Sequence, residues 1–120
     1  MNKFQLEERL IDFSVSIINI ADTIKQNYAG IHLSNQMIRS GTSPSLNYGE
    51  AQSAESPKDF VHKMGICLKE LRETFICLKI IERAKLSNNN LMIEEVKKEV
   101  NELISIFVSS IKTSKSNQQK

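Results

Sequence analysis

From Phe60 to Ile81 the apolar residues Phe60, Met64, Cys67, Leu68, Leu71, Phe75, Leu78 and Ile81 return every three or four positions, directly after Ser56-Pro57-Lys58-Asp59. A side chain repeating at that interval stays on one face only if the backbone is an α-helix. The four residues before it form a helix start: Ser supplies a capping oxygen, Pro tolerates the first helical position because its missing N–H has no partner there, and Asp suits the positive end of the helix dipole. The pattern predicts a helix from Pro57 to Lys85, about 29 residues and ~43 Å long. An amphipathic rod of that length needs neighbours of similar length, and the rest of the chain has to provide them.

The first neighbour is predicted from Gln5 to Gln26, where Leu6, Leu10, Phe13, Ile17, Ile20, Ala21 and Ile24 keep the period. Ile11, Val15 and Ile18 form a second stripe beside the first, so this helix calls for burial on more than one side, in a bundle centre or against another subunit. After a connection at Asn27–Gly30, with Gly30 as breaker, a second helix is expected from Ile31 to Ala54. Pro44 inside it removes a backbone donor and predicts a kink; the alternative is two shorter helices with a turn at Gly41–Ser45. Ser87-Asn88-Asn89-Asn90 is a polar connection, and Ile93, Val96, Val100, Leu103, Ile104, Phe107, Val108 and Ile111 define the last helix. Residues 112–120 lack any apolar side chain, which predicts a disordered tail after a bundle domain of residues 1–111. The fold class is therefore all-α, an antiparallel up-and-down four-helix bundle, and no segment requires a sheet.

Composition excludes several classes. The formal net charge is +2 over 120 residues, too small to imply a uniformly basic surface, but it is unevenly placed: residues 56–86 carry seven basic and four acidic groups. An anionic partner would meet that segment. Cys67 and Cys77 stand ten positions apart on one helix, ~15 Å along its axis, and cannot bridge each other. They read as reduced thiols of a cytoplasmic protein. Glu7, Glu8 and Asp12 interrupt the first apolar run, so neither a secretory leader nor a membrane span is expected.

Three groups of polar residues are candidates for function. Gln36, Arg39, Ser43, Asn47 and Glu50 succeed one another at three or four positions and form a polar stripe on the second helix; Glu70 and Glu73 of the third can complete it. The stripe is either a ligand or partner site, or a structural network in which carboxylates of a neighbouring helix satisfy Arg39. Lys58, His62, Lys69, Arg72, Lys79 and Arg83 share one face of the third helix. That face suits phosphate recognition, to which Lys112, Lys115 and Lys120 of the tail can add, or it is a solvated surface paired with Glu. Enzymatic chemistry has little support. A di-iron bundle needs two Glu-x-x-His motifs, whereas the chain offers one Asp59-x-x-His62, and His32 lacks such a partner. Cys67 sits on an apolar face with no His one turn away. No cofactor and no metal site is expected.

The segment Leu33-x-x-Gln36-Met37-Ile38-Arg39-Ser40-Gly41-Thr42-Ser43, followed by Asn47-Tyr48-x-Glu50-Ala51 and Ser56-x-x-Asp59-Phe60, resembles the 23S ribosomal RNA intervening-sequence proteins. Arg9-Leu10-Ile11-Asp12-Phe13 and Lys69-Glu70-Leu71-Arg72-Glu73-Thr74 extend the similarity over residues 9–82. Pro44 departs from it, standing where members usually carry an aliphatic residue. The resemblance implies a small antiparallel four-helix bundle assembled as a homopentamer, without catalytic residues and with a largely undefined biochemical role. Accessory proteins of diversity-generating retroelements are similar, and their basic barrel-like surface binds a reverse transcriptase and nucleic acid. The expected function is a non-enzymatic, homo-oligomeric scaffold associated with RNA through Lys58, Lys69, Arg72, Lys79 and Arg83. The alternative is an oligomeric adaptor for another protein, without nucleic-acid binding.

Overall fold

The computed structural model describes residues 1–119. It contains four helices, α1 (Lys3–Ala21), α2 (Tyr28–Gln52), α3 (Pro57–Arg83) and α4 (Asn90–Gln118), in a bundle measuring 51 × 21 × 21 Å. α1 packs on α2 and α4, α3 packs on α2 and α4, and across the diagonals no Cα atoms of the described residues come within 8 Å, so those helices meet through side chains alone, as Tyr48 of α2 meets Phe107 of α4. The result is the up-and-down square predicted from the four apolar periods. Leu10, Phe13, Ile17, Met37, Leu71, Leu78, Ile93, Leu103 and Phe107 are 0–1% exposed and fill its axis. Each such burial contributes about 1.5–3 kcal/mol relative to exposure. Tyr48 closes one end edge-on against Phe107, with ring centroids 5.8 Å apart.

Local chemistry sets the helix limits. Asn2 and Gln5 form a reciprocal capping box in which each side chain accepts from the other's backbone N–H, starting α1 at Lys3 instead of Gln5. The same helix stops at Ala21, five residues short of the predicted end. Thr23 Oγ1 donates to the Ile20 carbonyl at 2.7 Å, and the chain then turns to pair with the α3–α4 connection. There Lys25 N donates to Leu86 O at 2.8 Å, Asn88 N donates to Thr23 O at 2.9 Å, and the hydroxyls of Thr23 and Ser87 lie 2.7 Å apart. A short lock thus ties both connections at one end. Those contacts are long-range, so no local pattern announces them.

Gly30, predicted to break the chain, lies inside the first turn of α2, where its N–H donates to the Asn27 cap at 2.8 Å. Its role is steric, because a Cβ there would collide with the Lys25 carbonyl. Pro44 is buried within an uninterrupted α2, and the two-helix alternative with a turn at Gly41–Ser45 does not occur. α3 begins at the predicted cap, Ser56 Oγ accepting from Asp59 N at 3.0 Å. It ends in a Schellman turn: Leu86 N donates to Ile81 O, Lys85 N to Glu82 O, and Lys85 adopts φ 57°.

α4 does not stop at Lys112 but continues to Gln118, so residues 112–118 are helical where a disordered tail was expected. Propagating an established helix costs far less than starting one, and Gln118 Nε2 donates to Pro57 O at 3.1 Å, holding the end against the start of α3. Lys120 lies outside the described residues.

Candidate functional site

The polar stripe of α2 meets α3 at Arg39. Arg39 Nη1 lies 3.0 Å from Glu70 Oε2 and Nη2 lies 2.7 Å from Glu73 Oε2, so one guanidinium spans two carboxylates one helical turn apart. Glu70 is buried, whereas Arg39 is exposed. The hydrogen bond from Arg39 holds the Glu73 carboxyl below the usual glutamate value, and the same pair raises Arg39 further above an already high one. Beneath the pair, Thr74 Oγ1 sits 2.9 Å from both Ser40 Oγ and Glu70 O, and the Cys67 thiol donates to Pro44 O at 3.6 Å. These contacts form one seam between α2 and α3.

The rest of the stripe stays apart from that seam. Asn47 Nδ2 donates to Ser43 O at 3.1 Å and lies 2.7 Å from Ser43 Oγ, a link within one helix. Glu50 and Gln36 have no side-chain hydrogen bond or ion pair among the described residues, and Gln36 instead lines a groove. The sequence does not disclose two further ion-pair systems. Arg9 of α1 joins Glu99 at 2.6 Å and Glu102 at 2.9 Å on α4, and Lys97 of α4 reaches Glu82 of α3 at 2.8 Å.

The basic face lies along the outside of α3. Lys58, His62, Lys69, Arg72 and Arg83 are exposed, and Lys79 is half-buried with its ammonium 5.3 Å from the Phe75 ring centroid. Among the described residues the ion pairs belong to Arg9, Arg39, Lys63 and Lys97; Lys58, Lys69, Arg72, Lys79 and Arg83 have no carboxylate within 4.0 Å. Asp59 is occupied by Lys63 at 3.4 Å and by the N–H of Glu55, so it is not directed at His62. Lys112 and Lys115 are exposed on the last turns of α4.

Between α2 and α3 runs a groove of about 720 Å³. Leu33, Leu68, Ile76 and Cys77 give it an apolar lining, and Arg39, Lys69, Arg72 and Glu73 stand around it. Sequence reasoning missed this feature. The available signal was Ile76, which falls off the core period of α3 among the lysines and arginines. A second uncovered surface is the outer side of α1, where Phe4, Ile11, Val15 and Ile18 remain 43–66% exposed. Within one chain the second stripe of α1 therefore has no cover.

No nucleophile is poised among these groups. Cys67 is fully buried and desolvation pushes its thiol up to about 12, while Cys77 is raised for the same reason. No three or more His, Cys, Asp or Glu side chains are grouped to hold a metal among the described residues, and no helix is long and apolar enough to cross a membrane.

Comparison with known proteins shows the family of this bundle. Residues 2–109 match the family described as 23S rRNA-intervening sequence protein. The chain belongs to that family. A solved structure from Bacteroides thetaiotaomicron, described as a protein of unknown function from the S23 ribosomal protein family, is 29% identical and superposes with a TM-score of 0.82. The alignment covers 93% of this chain and 99% of that one. No curated protein sequence matches the chain. The family match thus reaches all four helices and ends within α4.

Proposed function

We propose that this intervening-sequence protein is a non-catalytic, homo-oligomeric cytoplasmic scaffold that binds RNA through the outer face of α3. The observation that carries the reading is the placement of Lys58, Lys69, Arg72, Lys79 and Arg83 along the outside of one helix, none of them with a carboxylate of the described residues within 4.0 Å. Like-charged side chains along one helix repel one another, and a polyanion relieves that repulsion while releasing its counterions. No exposed aromatic ring interleaves with the cations, so contact is with phosphate and helix shape, not with unstacked bases. Oligomerisation is supported by the uncovered apolar side of α1, and the family resemblance implies five copies; repetition would multiply a modest basic face into an extended one.

The test is fluorescence anisotropy of the protein with a structured RNA and a matched duplex DNA across a salt series. The expected result is RNA binding whose logarithm falls linearly with log salt, with a slope on the order of −0.7 to −0.9 per neutralised phosphate. Lys79→Glu with Arg83→Glu should weaken binding strongly and reduce the slope by about 1.5–2 while leaving the melting curve in place. Absence of binding at low salt sinks the RNA reading. A protein partner whose capture is insensitive to salt would then favour an adaptor, the reading to which the apolar groove between α2 and α3 lends itself.

A further inference from the structure

We infer that the α2–α3 groove binds a single anionic amphiphile, a fatty-acid-like molecule whose carboxylate meets Lys69 and Arg72 while its chain lies along Ile76, Cys77 and Leu33. The inference goes beyond the RNA reading and holds without it. Cations on α3 suit phosphate, but a polyanion has no use for the apolar half of the same surface. Ile76 is 52% exposed, one turn beyond Arg72, and Ile80, a further turn on, is 45% exposed. A ligand that joins a negative head to a hydrocarbon chain uses both halves.

Helix register gathers much of the apolar lining at one end. Arg39 meets Glu70 and Glu73 whereas Pro44 meets Cys67, so α2 and α3 run antiparallel. Leu33 precedes Arg39 on α2, and Ile76 and Cys77 follow Glu73 on α3, which places all three on the side of the Arg39 seam away from the α2–α3 connection. On the other side Leu68 and Gly65 continue the lining, and a Cβ built on Gly65 would meet nothing within 4 Å. The volume of about 720 Å³ falls within the roughly 300–1,000 Å³ of pockets that bury small molecules. From Lys69 to Ile80 the helix rises ~16 Å, room for an extended chain of medium length.

Charge at the rim selects the sign of the head. The guanidinium of Arg39 holds Glu73 at 2.7 Å and Glu70 at 3.0 Å, so both carboxylates are already engaged. Lys69 and Arg72 are exposed at the margin with no carboxylate within 4.0 Å among the described residues. Three cations, Arg39, Lys69 and Arg72, against two carboxylates, Glu70 and Glu73, leave a formal charge of +1, and the free part of it sits on Lys69 and Arg72. An apolar lining with a few polar groups at its margin is the composition of a small-molecule site. A bilayer fits less well, because a flat surface does not reach the floor of a groove between two helices.

The experiment titrates the full chain with decanoate below its micelle concentration and follows maleimide labelling of Cys77 by intact mass. Cys67 is fully buried, so the native chain reports Cys77 alone. Decanoate should slow the labelling in a saturable way, and decanol, with the same chain and no charge, should need about tenfold more. Lys69→Glu with Arg72→Glu should weaken decanoate by about tenfold or more and leave decanol unchanged. Ile76→Glu, at a half-exposed position outside the core, should remove protection by both while circular dichroism and Tm stay those of the wild type. Equal protection by decanoate and decanol overturns the carboxylate site, and protection that survives Ile76→Glu overturns the placement of the chain. A Cys77 that decanoate does not protect, or that resists labelling before any ligand is added, overturns the proposal outright. Retention of such an unprotected protein on phosphatidylglycerol vesicles would assign the surface to a membrane instead.

Discussion

Gly41 of α2 stands directly against Ile17 of α1: a Cβ built on the glycine would lie 2.7 Å from Ile17 Cγ1 and 2.8 Å from Cγ2. The adjoining Ser14 hydroxyl lies 2.9 Å from the Leu10 carbonyl, 3.4 Å from the Gly41 carbonyl and 3.2 Å from Ser45 Oγ, so the two helices meet through small residues.

This contact gives the same substitution opposite signs at two places in one helix. Gly→Ala in a helix interior gains about 0.5–1 kcal/mol from reduced backbone entropy. At Gly49 nothing lies within 4 Å of the added Cβ, so Gly49→Ala should raise Tm. At Gly41 overpacking costs about 1–3 kcal/mol and wins, so Gly41→Ala should lower Tm by several degrees. Adding Ile17→Ala to Gly41→Ala should cost less than the sum of the two single changes, a double-mutant cycle readable by urea denaturation.

Arg39→Ala removes the cation from Glu70, which is only 9% exposed. A buried carboxylate without its partner destabilises, so Tm at neutral pH should fall, and adding Glu70→Gln should recover part of the loss. The pH dependence follows from the depressed Glu73 carboxyl, held down first by its hydrogen bond from Arg39. Its contribution is complete above the ordinary glutamate value of 4.5 and disappears as pH falls through the lower folded-state value. Thermal melts taken between about pH 3 and pH 7 should show a shallower acid loss in Arg39→Ala than in the wild type. An unchanged melting curve at neutral pH would remove the structural role of the seam.

Lys85 holds φ 57° at the position after the α3 cap where glycine is the usual residue. A side chain there costs roughly 1 kcal/mol, so Lys85→Gly should stabilise the protein by an amount of that order. Urea midpoints of the two proteins check it. Leu86, 6% exposed and bonded through its N–H to Ile81 O, keeps the turn in place in both.

Cys67 makes the alkaline limb of stability predictable. Burial pushes its thiol from 9.0 up to about 12, so between those values the unfolded chain loses a proton that the folded chain keeps. The folded state then binds more protons than the unfolded one, and stability falls as pH rises through that window. Tyr48, raised by desolvation in the same way, adds to the decline. Cys67→Ala lowers stability at neutral pH by opening a cavity, but its denaturation midpoint should change less between about pH 9 and pH 10.5. A disulfide-exchange reagent should label Cys67 of the native wild type only as fast as the bundle opens.

Much of the bundle is legible along the chain because its determinants are local. The three-and-four spacing from Phe60 to Ile81 and the Ser56-Pro57 start specify α3 with few alternatives, and Asn89, whose side chain accepts from Met92 N at 3.1 Å, lies in the predicted connection before α4. Where locality fails, the reading fails with it. α1 ends at Ala21 because Ile24 and Lys25 find partners in a connection more than sixty residues away, and no property of residues 21–26 encodes that partner. Gly30 reads as a breaker because composition records flexibility and not the nearby Lys25 carbonyl that excludes a side chain. The polar stripe was visible as a period of residue types, but a period cannot separate Arg39, which reaches α3, from Asn47, which bonds back to Ser43 within its own helix.

By itself the sequence determined four amphipathic helices, their approximate limits and the placement of charge on α3, since propensity, capping and side-chain period act within a few residues of one another. Tertiary structure alone decided which apolar residues stayed uncovered. Ile17 and Ile18 are neighbours of like chemistry, yet one is fully buried against Gly41 and the other is 48% exposed. That difference arises because α1 has only α2 and α4 to pack against, so its outer side has nothing to cover it within one chain.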